Sequence, residues 1–583
     1  MKRNRSGVAR SRHSSIDAAN SAGGSILVWL LIAVAAPLGF LAQRIPLDLW
    51  YDEIYTLVHF VHRPWTQIVT DYSAPNNHIA YSLLLRPLWL LGAQPLELRL
   101  SSYVLAAGTL TLTFALAWRL LGRDVAVWAT ALLGLTQMYL SHAIQVRGYG
   151  LSMLLIALVA NLAVAAGSTR NAWRSIAEVA VRQRDFDTVA ALRRWWSRAT
   201  AIALVVALSV YTIPTNVLFV VPLLIWSVAR SWRTLGSRSA AIEMAPWLSG
   251  LLLAGLFYLP VLDQLRQHAA GSARPSLPET IRLAGDVLLA AGHDAWPLLP
   301  LIAIGLLCWL WRPHQSEEVS IAWLLGLGLM GPFLIAWAIG ISPFVRSFCP
   351  VLPLLAIAVA WSGDEAITAG QRFARRAPAA RDKTSETAAQ RSTLWRPLAG
   401  LALLLAVFTG PLLTFPSRLT AVREREGAVQ DGYYNFYAAN FEPAQVVDIL
   451  APEVRIEPNF QIAYDDADYY NLIYYLIAEG IATAPEPKDP ERERSPGYLY
   501  LVLPPKPNIA RLQARIAIPA REWLRWPQMA QVGYYRILRS PQRRSLAEFQ
   551  KPAPAPKVPA PPRPYPPSLL EELNLQSSDA TTP

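Results

Sequence analysis

Two adjacent acids, Asp52 and Glu53, lie in the stretch "PLDLWYDEIYTLVHFVHRPW", directly after the first long apolar run. Carboxylates at a water–lipid boundary can take a proton from an attacking hydroxyl, hold a cation, or cap a helix. Read as a helix from Asp52, the residues Asp52, Thr56, His59 and Arg63 share one side, and Glu53 points about 100° away. The two acids therefore take different parts: one faces a reaction centre, the other holds backbone, an arginine or a metal ion. The competing assignment makes Asp52 a cap and lets Glu53 favour the positive helix N-terminus. Further along, His78 opens "NNHIAYSL", Arg147 and Tyr149 share "QVRGYG", Tyr211 falls in "LSVYTIPTN", and Arg346 lies in "SPFVRSF". Such arginines either snorkel to lipid headgroups or grip phosphate oxygens with two parallel N–H donors.

The elements that must position these side chains are membrane spans. The chain is 53% hydrophobic but only 16% charged, a charge deficit that excludes an ordinary soluble domain. Apolar runs of roughly 18 to 25 residues, the length that crosses hydrocarbon as a helix, recur through the first two-thirds. The expected fold class is a polytopic α-helical membrane protein of about eleven spans, at 25–43, 98–121, 125–141, 149–167, 200–211, 217–229, 247–262, 298–311, 321–340, 347–361 and 398–415. The net charge of +12 comes largely from arginines in short segments between those runs. That is the positive-inside pattern of cytoplasmic loops, and it argues against a nucleic-acid partner. Cys308 and Cys349 sit near opposite membrane faces in this scheme, so no disulfide is expected.

Orientation turns on the stretch at 78–92, "HIAYSLLLRPLWLLG". Counting it as a span puts the two most basic loops, 168–198 and 364–396, outside. Leaving it out puts both inside, and Arg86–Pro87 interrupts it with a charge and a helix breaker. It therefore reads as a juxtamembrane or re-entrant helix at the outer interface. Residues 1–24 are then a basic cytoplasmic terminus and 25–415 a transmembrane domain whose first outer loop is 44–97. Residues 416–545 form an extracytoplasmic α/β domain, with strands in "FQIAYDD", "GYLYLVLP" and "VGYYRILRS" and helices in "PAQVVDILA" and "DYYNLIYYLIAEG". The proline-dense 546–583 is a disordered tail. "DDADYYN" lacks the glycine and terminal glutamate of a calcium loop and reads as a helix cap. With this topology Asp52, Glu53, His78, Arg147, Tyr149, Tyr211 and Arg346 all reach the outer face, in a multi-pass protein of the cell's inner (plasma) membrane.

Those residues carry a family resemblance. "WYDEIYT", "NNHIAYSLLL", the run from "ELRLSSYVLAAG" to "QVRGYGLSMLLIAL", "LSVYTIPTN" and "SPFVRSFCPVLPLLAI" resemble, in that order, the multi-spanning GT-C glycosyltransferases that use polyprenyl-phosphate sugars. The nearest branches are the protein O-mannosyltransferases and the aminoarabinose transferases of lipid A. The resemblance implies that Asp52 is the general base, with Glu53 supporting its loop or the acceptor, and that transfer inverts the anomeric carbon. It also implies that Arg147 and Arg346 offset the leaving lipid phosphate, with His78, Tyr149 and Tyr211 binding substrate. Partners would be a polyprenyl-phosphate-linked sugar donor, an envelope acceptor and membrane lipids. The resemblance fixes no cofactor and leaves metal dependence open, and a divalent metal is compatible with the acids and histidines. The chain departs from the family at Ile79–Ala80, where prolines are common, and at Ser347, where tyrosine is common. Two other classes compete: a transporter or flippase of a lipid-linked or anionic substrate, and a non-catalytic glycolipid-binding member. A transporter would show internal repeats and mid-membrane charges, and neither stands out.

Overall fold

The structure, a computed structural model, describes residues 26–46, 49, 51–165, 186–270, 274–292, 295–376, 385–413, 443–456, 461–464, 475, 495–503, 509, 512–513, 516–532 and 535–549. They fall into two compact units. One comprises residues 1–46 and 65–415, and the other 47–64 with 416–583.

The first unit is a helical bundle. The described residues of each expected apolar run fall on helix, but not every run makes a helix of spanning length and apolarity. Among the described residues, six helices are long and apolar enough to cross a membrane: Pro95–Leu121, Gly148–Ala165, Pro214–Leu235, Ser237–Phe257, Ser316–Ile339 and Val345–Phe373. A seventh is added if Leu277–Gly292 and Trp296–Leu310 act as one bent span. The other runs are shorter or interrupted. Ile26–Ala42 has 17 residues, and the run after Gly122 breaks at extended Thr136 into Arg123–Leu135 and Gln137–His142. Length and apolarity therefore support a multi-pass membrane protein with six or seven such spans, fewer than the eleven apolar runs. Ile79–Leu90 has 12 residues and rises about 18 Å, short of the roughly 30 Å hydrocarbon layer. It does not cross as a straight helix.

Local chemistry sets the helix ends. Gln94 and Glu97 form a reciprocal capping box ahead of Pro95, which sits where its missing N–H costs nothing. Gly122 (φ 92°) and Gly236 (φ 87°) each make the whole link between consecutive long helices, in a backbone region that favours glycine. Ser102, in the first third of Pro95–Leu121, bonds the carbonyl of Gln145. Asn216, at the start of Val217–Leu235, bonds Ser152 near the start of Gly148–Ala165. Both glycine links thus lie at the bundle end opposite the 142–148 loop. Partly buried ion pairs brace the helices away from that loop: Arg198–Glu243 at 2.5 Å, Arg312–Glu365 at 2.7 Å and Arg396–Asp364 at 2.7 Å.

The second unit holds a four-stranded sheet in the order β1-β2-β4-β3, with β1 Gln461–Tyr464, β2 Leu499–Leu503, β3 Gln528–Val532 and β4 Tyr535–Arg539. β1 and β2 are parallel, and the other pairs are antiparallel. Helix Pro443–Ile456 covers one face through Val446, Val447 and Leu450, and Trp523, Trp526 and Leu512 cover the other. β2, "LYLVL", is buried at every position, as a continuous apolar strand covered on both faces must be. "VGYYRILRS" supplies β4, the second strand of a hairpin with β3. "DDADYYN", most of "DYYNLIYYLIAEG" and residues 550–583 lie outside the described residues; the first four residues of the expected disordered tail instead form a helix, Leu546–Phe549, whose Phe549 is buried against Trp523 and its neighbours.

Candidate functional site

In the first unit three separated segments meet: the turn before Ile79–Leu90, the loop before Gly148–Ala165, and the 3₁₀ turn Val345–Val351. The first is shaped by its own polar side chains. Asp71 accepts from the Ser73 N–H at 2.8 Å, an Asx turn. Asn77 donates to the carbonyls of Ile68 (3.0 Å) and Asp71 (2.6 Å) and accepts from Ser82 at 3.0 Å. His78 is thereby presented at the head of its helix, buried and facing Gly148.

The Gly148 N–H donates to His78 Nδ1 at 2.8 Å. A backbone N–H can only donate, so Nδ1 is the bare nitrogen and the neutral ring carries its proton on Nε2. Burial first, and then the charges of Arg147 and Arg346, push the His78 imidazole well below its usual value. The contact requires glycine: a Cβ on residue 148 would lie 2.8 Å from His78 Cβ and 2.9 Å from its Cγ and Nδ1.

Arg147 is 1% exposed. Its Nη2 donates to Asn76 Oδ1 at 3.1 Å, and its guanidinium lies 5.0 Å from the Tyr149 ring centroid, within cation–π range. Tyr149 meets His78 and His142 edge-on at 5.2 and 5.7 Å. Arg346, half-buried, packs 4.9 Å from the Phe344 ring, and its charge reaches both His78 and His142. Four predicted residues, His78, Arg147, Tyr149 and Arg346, thus share one neighbourhood. Tyr211 does not join Arg147. It packs against Phe257 and Tyr258 at 5.1 and 5.3 Å, in an aromatic cluster with Tyr72. Burial, with Tyr149 second, raises the Tyr72 phenol and keeps it a donor.

Asp52 and Glu53 belong to the second unit, on helix Tyr51–Thr56, at 7% and 0% exposure. Thr56 Oγ1 donates to the Asp52 carbonyl at 2.8 Å. A single π turn, Leu57–Val61, follows, with the His62 N–H reaching Leu57 O. This widened turn, a feature often found at functional positions, corrects the spacing argument. Residues beyond it no longer follow an α period, so Arg63 does not align with Asp52. His59 instead stacks on Tyr55 at 4.0 Å. The Leu49 N–H donates to the Tyr475 hydroxyl at 2.8 Å, joining the acid-bearing segment to the C-terminal residues of its unit.

Sequence reasoning missed a second buried polar hub. Arg44 donates to Gln137 (3.1 Å) and Ser141 (3.4 Å), and Arg99 donates to the Arg44 carbonyl at 3.0 Å. Tyr81, Ser102 and the Gln145 carbonyl continue the chain of bonds at 2.7 Å each. Arg99 is fully buried. Its signal was available: an arginine inside an apolar helix marks function or a polar partner. Among the described residues no group of three or more His, Cys, Asp or Glu is arranged to hold a metal. Two cations beside a neutral imidazole with one N–H make a locus receptive to an anion such as a phosphate.

No family model matches the chain, and no curated protein does. Solved structures do. ArnT from Cupriavidus metallidurans bound to undecaprenyl phosphate is 13% identical, over 88% of this chain and 97% of that one, with a TM-score of 0.42. Its apo form gives the same identity and TM-score. The Archaeoglobus fulgidus oligosaccharyltransferase tethered with an acceptor peptide is 11% identical, over 70% and 58%, at 0.36. At these scores the likeness assigns no residue a role, and function has to be read from the chain's own side chains.

Proposed function

We propose that the chain is a membrane glycosyltransferase that moves a sugar from a polyprenyl-phosphate donor to an envelope acceptor, whether protein, lipid or glycan. The reaction takes place at the outer face of the inner membrane, with the N-terminus cytoplasmic and the C-terminal domain outside. The observation that carries this reading is the convergence of Arg147 and Arg346 on one neutral histidine. Their charges suit a leaving phosphate, and the Nε2–H of His78 adds a donor. Asp52, buried on its short helix next to Glu53, is the carboxylate we assign as general base. The acceptor hydroxyl gives its proton to Asp52 as its oxygen bonds the anomeric carbon. The bond from that carbon to the phosphate oxygen breaks, its electron pair leaves with the lipid phosphate, and a single displacement inverts the centre.

The test is transfer of radiolabel from a polyprenyl-phosphate sugar to envelope fractions. Replacing Asp52 with asparagine should lower the rate about 10²- to 10⁴-fold, the usual loss for a general base, at unchanged expression. Full transfer by that variant removes Asp52 from the mechanism. Label that stays on the lipid with the unmodified enzyme, whatever acceptor is supplied, favours the transporter or lipid-binding alternatives.

A further inference from the structure

Between residues 495 and 549 the second unit carries nine Lys and Arg but two acids, Glu522 and Glu548. Positive-inside sorting does not account for this excess, because the segment follows the last apolar run by more than 75 residues and folds as a sheet. The fold gathers part of it. Helix Ala520–Trp523 and the residues after it present Arg521, Leu524 and Arg525 outward, and the loop after β4 presents Arg543. Two bonds tie these segments together. Arg544 Nη2 meets Glu522 Oε1 at 3.0 Å, and the Arg539 N–H donates to the Pro527 carbonyl at 3.2 Å. Arg543 is steadied 5.3 Å over the Tyr498 ring. Among the described residues, two acids here are already occupied, Glu522 by Arg544 and Glu453 by Arg539. Among the described residues, Arg521 and Arg525 have no carboxylate partner. Leu524, between them, is 37% exposed.

We infer that this arginine-rich edge docks on the phosphate layer of an anionic membrane, with Leu524 entering the headgroup region. The occupant follows from the chemistry. Guanidinium groups pair with phosphate oxygens, and an apolar side chain set between cations suits an interface of phosphate above hydrocarbon. The unit is also continuous in sequence with apolar helices, which keeps a bilayer at high effective concentration. A soluble polyanion would need no exposed leucine.

The test uses the full-length chain in lipid nanodiscs. Leu524→Cys carries an environment-sensitive dye, Cys308 is replaced by alanine, and Cys349, fully buried, is left in place. Emission should brighten in discs containing phosphatidylglycerol and stay at its aqueous level in pure phosphatidylcholine. Adding R521Q and R525Q should lower the docked-to-free ratio about 30-fold, whereas R521K with R525K should keep docking. Unchanged melting of the labelled variants shows that the fold is intact. Equal brightness in both lipids, or brightness indifferent to the glutamine pair, overturns the inference. Complete reversal by millimolar glycerol 1-phosphate also overturns it, in favour of a soluble phosphate ligand.

Discussion

Gly148→Ala tests whether the histidine at the site is held by a backbone that admits no side chain. The new Cβ would lie 2.8–2.9 Å from three His78 atoms, where ordinary contacts start near 3.5 Å. The overlap is therefore about 0.6 Å against groups that are almost fully buried. His78 Cβ is fixed to its backbone and cannot swing aside, so either the loop moves or the 2.8 Å bond to Nδ1 breaks. Overpacking costs about 1–3 kcal/mol, and the lost buried hydrogen bond adds about 1 kcal/mol. The variant should lose about 2–4 kcal/mol of stability by these terms together. A double-mutant cycle isolates the cause, because His78→Gly removes all three clashing atoms. In that background Gly148→Ala should cost less than about 1 kcal/mol. Thermal unfolding in detergent, followed by loss of monodisperse protein, reads the four variants. An equal cost of Gly148→Ala in both backgrounds would refute the proposed contact.

Two further outcomes follow from the same neighbourhood. Arg346→Gln should raise the donor KM about tenfold or more, the scale of one charged hydrogen bond, and Arg346→Lys should fall between, because it keeps the charge but loses the planar fork. Initial rates against donor concentration separate KM from kcat. The His78 shift also fixes the sign of a pH effect. Its folded pKa lies below the ordinary 6.5, so its contribution is complete above about pH 6.5 and declines as pH falls, when the unfolded chain takes up a proton that the folded chain refuses. Melting temperature should decline below that pH, and His78→Asn should flatten this part of the profile; an unchanged slope assigns the effect to other groups.

The apolar helices and the loop residues beside them were legible because their signals are local. A run of apolar residues specifies a helix in lipid wherever its neighbours are, and "QVRGYG" announces an arginine between a polar loop and a helix start. What could not be read locally depends on partners far along the chain. Asn76 and Asn77 look like ordinary turn residues until the carbonyls they serve are known. Arg44 and Arg99 look like interfacial charges until Gln137 and Ser141, about 95 positions from Arg44, are brought beside them. Leu277–Gly292 was passed over because its apolar residues alternate with Glu279, Arg282 and Asp286, which hides a helix from any search for continuous hydrophobicity. The π turn after Asp52 has no composition of its own, and it is what moves Arg63 out of line.

Gly122 and Gly236 lead to a mechanical consequence. A link of one residue leaves no slack, so each pair of helices it joins travels as a stiff hairpin, entering the bilayer together and tilting together afterwards. Both one-residue links are at the end remote from Arg147, so within each of these two pairs the helices can part only at the end nearer Arg147.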